Sequence, residues 1–146
     1  MEIIPYRSEY KSAFIRLNLA WLNRYFHVEE RDEEMLQGVE EFIEKGAAVY
    51  FALEGKMPVA VCMVIPRGGG VWEICKLAAH EGYRRRGAGS AVLSACIRRA
   101  TEQGAKKFAI ASNTRLTAAM RLYEKFGFVR VPLTEEYMEY ARKRLS

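Results

Sequence analysis

The residues with the most evident chemical potential lie in one run, Arg84-Arg85-Arg86-Gly87-Ala88-Gly89-Ser90. A glycine-containing turn that opens a helix lets successive backbone N–H groups converge on one concavity, at the positive end of that helix. Gly87 and Gly89 have no Cβ, so an anion can approach the main chain closely. The three arginines add positive potential at longer range. This chemistry suits a pyrophosphate, although a helix cap beside an exposed basic loop gives the same letters. A Walker loop (Gly-x4-Gly-Lys-Ser/Thr) and a dinucleotide fingerprint (Gly-x-Gly-x-x-Gly) are both missing from the sequence.

The segment feeding this loop, Val71–Ala79, reads as a strand, and alternation puts Val71, Glu73, Cys75 and Leu77 on one face. A carboxylate among apolar neighbours is unusual unless it is paired or used. Glu73 therefore reads as a base, as a strand-end group reaching solvent, or as the partner of a nearby arginine. A nucleophilic Cys75 would need a base or a depressed pKa. Neither His27 nor His80 is placed by sequence to supply one, and a small core residue is the better reading. His80 closes the strand beside the cradle, either touching phosphate or ribose or serving as an ordinary loop histidine.

These residues need a scaffold, and 146 residues with 50% hydrophobic side chains suffice for one core. The three cysteines, Cys62, Cys75 and Cys96, include no Cys-x-x-Cys pair. This argues against a disulfide framework or a metal site and suits a reducing compartment. The first residues lack the basic-then-apolar layout of a signal peptide, and no apolar run approaches the roughly 18 residues of a membrane span. A cytoplasmic protein without a membrane partner is expected. Charge is uneven: residues 1–66 hold 7 basic and 11 acidic side chains, a net of −4, and residues 67–146 hold 16 and 7, a net of +9. The basic half fits a nucleic acid, a membrane surface, a phosphorylated cofactor or simple solvation.

Hydrophobic spacing predicts the remaining elements. Ile3–Tyr6 reads as a strand. Ser8 caps a helix to about Arg24, with Phe14, Leu17, Ala20 and Trp21 on its apolar side. Asp32 caps a second helix carrying Met35, Val39, Phe42 and Ile43, which stops at Gly46. Strands follow at Ala47–Leu53 and Pro58–Ile65, joined by a turn over residues 54–57. A helix runs from about Gly89 to Gln103, a strand spans Lys107–Ala111, and a helix spans Thr117–Phe126. Phe128–Leu133 is a strand. The tail from Tyr137 to about Leu145 is compatible with strand or helix.

The stretch from Glu73 to Gly89 resembles the signature of the GNAT acetyltransferases, a strand leading into Gln/Arg-x-x-Gly-x-Gly/Ala. A second stretch, with Asn113, Ala118 and Leu122-Tyr123-Glu124-Lys125-Phe126-Gly127-Phe128, is similar to that family's Asn-x4-Ala…Leu-Tyr-x-x-x-Gly-Phe motif. Glu81 departs from the proline of many relatives, which alters loop stiffness and not chemistry. The first 60 or so residues match only in layout. The resemblance implies an α/β fold in one domain over residues 1–146. Its mostly antiparallel sheet is splayed between the fourth and fifth strands and flanked by about four helices.

The resemblance also implies a function: transfer of the acetyl group of acetyl-coenzyme A to a primary amine, by direct attack and without a covalent acyl-enzyme. Pyrophosphate would rest on the backbone of Arg84, Arg85, Arg86, Gly87, Ala88, Gly89 and Ser90. Pantetheine would pair with the strand at Leu77, Ala78 and Ala79, near Asn113. Tyr123 would protonate the leaving thiolate, and Glu73 would remove the amine's proton. Tyr123 also belongs to a helical stripe with Ala119, Leu122 and Phe126, which suits simple packing. The amine pocket would be walled by Trp21, Tyr25, Phe26 and Glu29, although the run Trp-Leu-x-x-Tyr-Phe equally suits a helix's core stripe, the better reading for Trp21; the acidic first half suits a cationic amine. No metal is implied; a homodimer is common in the family, though no residue here fixes it. A non-catalytic acyl-coenzyme A sensor is the alternative. A nucleic-acid-binding module has little support, because no zinc finger, RNP-type aromatic motif or clear helix-turn-helix is present.

Overall fold

The computed structural model describes residues 1–25, 28–113, 117–132 and 137–143, with the backbone alone at Tyr25, Arg31, Arg84, Arg85, 111–113, 117–119, 130–132 and 137–143. The strands are β1 (Glu2–Pro5), β2 (Ala48–Glu54), β3 (Met57–Gly68), β4 (Val71–Ala79), β5 (Lys107–Asn113), β6 (Val129–Pro132) and β7 (Tyr137–Lys143). The helices are α1 (Lys11–Tyr25), α2 (Glu30–Gln37), α3 (Val39–Glu44), α4 (Ala88–Glu102) and α5 (Thr117–Lys125). One seven-stranded sheet has the order β1-β2-β3-β4-β5-β7-β6. Every pairing is antiparallel except β4 with β5.

The sheet is covered on both faces, and β3 is accordingly buried from Pro58 to Ile65. On one face, Val92, Leu93, Cys96 and Ala100 of α4 pack with Trp72, Ile74, Phe108 and Ile110. On the other, Phe14 and Leu17 of α1 and Leu36 and Val39 pack with Val49, Phe51, Val61 and Met63. Each such large aliphatic or aromatic side chain contributes about 1.5–3 kcal/mol on full burial.

Several local expectations are corrected. Ser8 does not cap α1; it opens a single 3₁₀ turn, Ser8–Tyr10, preceded by an extended Arg7. Ala20 is exposed, and the buried positions of α1 are Ala13, Phe14, Leu17 and Asn18. The second helix starts earlier than predicted, because Asp32 is its third residue and accepts a hydrogen bond from the Glu29 N–H at 3.0 Å. Gly38 then divides it into α2 and α3, giving five α-helices among the described residues where about four were expected. The ambiguous tail is a strand because β7 finds partners on both sides, β5 and β6. No helix of the described residues is long and apolar enough to cross a membrane.

Candidate active site

The site begins where β4 and β5 part company. Their parallel pairing covers only Val71–Lys107, Trp72–Phe108 and Glu73–Ala109. Beyond Glu73, β4 remains paired to β3, through Val61–Ala78 and Ala60–Ala79, but not to β5. The β4 edge around Leu77, Ala78 and Ala79 thus presents main-chain donors and acceptors toward an open cleft. An extended ligand can complete such an edge as an added strand.

Within β4, one residue breaks the strand's alternation. Lys76 has φ +53°, the one non-glycine positive φ among the described residues. The register against β3 shifts at the same place, so that Met63 faces Cys75 while Val61 faces Ala78. This is a bulge, with two β4 residues set against one on its partner. It removes Leu77 from the face it was expected to share with Val71, Glu73 and Cys75. Cys75 and Ala78 pack toward the α1 side, whereas Leu77 and Ala79 pack with the α4 core. The extra residue shifts the two-residue period by one.

The cleft holds a cavity of about 240 Å³ lined by Asn18, Trp21 and Leu22 of α1, the β4 residues 73–77, Ile110 of β5 and Tyr123 of α5. Glu73 and Tyr123 therefore share one cavity although they are 50 positions apart. Tyr123 is 6% exposed, and its ring lies 6.2 Å from that of Phe128. Glu73 is fixed from one side, with Arg67 Nε donating to its Oε1 at 2.8 Å. Of the readings its sequence context allowed, pairing with a nearby arginine is the one the structure contains, and the same residue lines the cavity. Burial, with the neighbouring Cys62 and Glu73 adding to it, pushes the Cys75 thiol far up. That is the opposite of what a nucleophile needs.

Beyond β4 the chain turns through His80, which starts a 3₁₀ segment, Glu81–Arg86, by accepting the Gly82 N–H on Nδ1 at 3.2 Å. The His80 ring also meets Tyr83 edge-on, at 5.7 Å, and the Arg86 guanidinium lies 5.2 Å from the centre of the Tyr83 ring. Gly87 then adopts φ +79°, and α4 begins at Ala88 without a side-chain cap. The first intrahelical bond is donated by Ala91 to Gly87 at 2.9 Å. The preceding N–H groups are those left without intrahelical acceptors at any helix start. Here they combine an uncapped terminus, the helix dipole and a neighbouring glycine, which together suit an anion.

Of the remaining sequence candidates, Asn113 closes β5 opposite Tyr137, and its side chain lies outside the described residues. So do the side chains of Arg84, Arg85 and Tyr25, and the whole of Phe26. Glu29 is exposed and does not line the cavity. Sequence reasoning missed Asn18 and Lys76. Asn18 is 3% exposed, and its Nδ2 donates to the Phe14 carbonyl at 2.9 Å. A polar residue among the apolar positions of α1 was the only signal for it.

A profile of the acetyltransferase (GNAT) family matches residues 15–128. No curated protein matches the chain. Solved structures share its fold over nearly their full length. A GNAT-family acetyltransferase from Staphylococcus aureus Mu50 superposes with a TM-score of 0.88 at 20% identity, covering 97% of this chain and 98% of that one. PaiA N-acetyltransferase from Thermoplasma acidophilum, in complex with coenzyme A, gives 0.81 at 14% identity, covering 99% and 100%. YncA, a putative acetyltransferase from Salmonella typhimurium with its cofactor acetyl-CoA, gives 0.80 at 17%, covering 100% and 95%. With the family profile spanning the split strands and the glycine turn before α4, the chain belongs to the acetyltransferase (GNAT) family.

Proposed function

We propose that this protein transfers the acetyl group of acetyl-coenzyme A to a primary amine of a small molecule or peptide, by direct attack in a ternary complex. The observation that carries this reading is the cavity between β4 and β5. It brings Glu73 and Tyr123 together beside an unpaired strand edge. The uncapped start of α4 fits the pyrophosphate, and the β4 edge fits the amide-bearing pantetheine arm. Structures of two fold relatives with coenzyme A or acetyl-CoA support that assignment.

The bound thioester supplies an acyl carbon, which gains a bond to nitrogen as the bond to sulfur breaks. Glu73 takes the proton the amine loses, directly or through water, with Arg67 holding its other oxygen. Tyr123 donates a proton to the departing sulfur. Free tyrosine has a pKa of about 10 and a thiol about 8.5, so this transfer is slightly uphill. Holding amine and thioester together in a small cavity supplies much of the remaining gain. The high pKa of Cys75 favours direct attack over an acyl-cysteine.

Calorimetry with acetyl-coenzyme A, followed by free-thiol release across a panel of amines, tests the proposal. Micromolar binding, about −8 kcal/mol, with amine-dependent release is the expected result. Binding with no release on any amine favours a sensor, and no binding at all overturns the cradle.

A further inference from the structure

The charges inside the cavity point to a narrower acceptor class, an inference that rests on the transferase reading. Among the described residues, two of the residues that line the cavity are charged, Glu73 and Lys76. Their circumstances differ. Glu73 already has its countercharge in Arg67, at 2.8 Å. Lys76 has no ion pair or hydrogen bond among the described residues. The thiol beside it, Cys75, stays neutral and offers no countercharge. Among the described residues the lining therefore carries one charge without a partner, that of Lys76, and a bare cationic amine would add to it. The bulge also holds Lys76 at a strained backbone angle inside the cavity, the kind of outlier that clusters at ligand sites.

We propose that Lys76 seats a carboxylate of the acceptor, so that the substrate is an amino acid or another small primary amine bearing a carboxylate. In such a molecule the amine end meets Glu73. Asn18 offers its Oδ1 to the same end, since its Nδ2 is spent on the Phe14 carbonyl. Glu73 and Lys76 are three positions apart, a span of at most about 10 Å along an extended strand. A short amino acid between two long side chains fills that distance. The acidic first half of the chain, which alone suggested a cationic amine, contributes no charged residue to the described lining.

The test uses glycine, β-alanine, 4-aminobutanoate and leucine, each against its carboxamide, titrated calorimetrically into the protein loaded with coenzyme A. At least one acid is expected to bind tenfold or more tightly than its carboxamide. Lys76→Met should reduce that ratio below threefold without changing carboxamide affinity, and Lys76→Arg should keep it. Equal affinity for acids and carboxamides, no detectable acid binding, or an unchanged ratio in Lys76→Met overturns the proposal. Thiol release from acetyl-coenzyme A is read separately on the same panel. Acid binding without release counts against the transferase and leaves the carboxylate seat in place. Release confined to the carboxamides removes the seat and leaves the transferase.

Discussion

Arg67 and Glu73 face each other across the β3–β4 hairpin, with Nε and Oε1 2.8 Å apart. The pair sits where the hairpin leads into the cleft, and it leaves Glu73 Oε2 as the oxygen available to a ligand. Such half-exposed pairs add little stability, at most about 1 kcal/mol, so the contact matters for where it puts the carboxylate.

Glu73→Gln keeps the shape and removes the base. Turnover should fall roughly 100-fold or more, while acetyl-coenzyme A affinity stays within twofold, because the cradle is untouched. Steady-state kinetics beside calorimetry separates the two quantities. Undiminished turnover would assign Glu73 to the ion pair alone.

The turn before α4 was legible because glycine spacing before a helix is a local signal, and α4 starts within a residue of its expected place. The split of β4 from β5 came only through family resemblance. The bulge had no such signal. Lysine has no preference for positive φ, so Lys76 takes that angle because β3 and β4 are held in register on both sides of it. Asn18 stands out only as a polar residue among the apolar positions of α1; its burial follows from the packing of that helix on the sheet, which no local pattern encodes. Gly38 was equally opaque, since an isolated glycine inside a helical period is often tolerated.

Gly87 supplies a sharper test of the cradle than a bulky substitution. Its φ of +79° costs a side-chain-bearing residue about 1–2 kcal/mol. A Cβ there would meet no atom within 4 Å. Gly87→Ala should therefore lower stability by about that amount without a clash, measurable by urea unfolding. Coenzyme A affinity should fall at least tenfold, as the methyl group intrudes on the anion's approach. Intact affinity at reduced stability would place the pyrophosphate elsewhere.

Alkaline pH should loosen the fold in stages. Burial pushes the Cys75 and Cys62 thiols well up, and burial, with the Glu40 carboxylate adding to it, pushes Tyr6 up to about 12. Groups raised in the folded state keep their protons there after the unfolded chain has lost them. Stability is thus unaffected below an unfolded thiol pKa of about 8.5. It should decline above that pH, and again between about 10 and 12 as Tyr6 enters. Urea midpoints taken from pH 7 to 11 would follow the decline; a flat profile would mean the buried thiols are open to solvent. Burial also predicts that Cys62 and Cys96 resist iodoacetamide at pH 7.5 in the folded protein.

Tyr123→Phe isolates the proton donor. The ring packs beside Phe128 and is nearly buried, so phenylalanine keeps its apolar contacts. If Tyr123 protonates the leaving sulfur, turnover should drop roughly 100-fold or more, with coenzyme A affinity little changed. A thioester with a more acidic leaving thiol needs less help from a proton donor. The variant's deficit should therefore shrink with an acetyl thioester of lower leaving-group pKa. A deficit that is the same for both thioesters would point to packing, because a misplaced helix slows every substrate alike while a missing proton slows the poorer leaving group more.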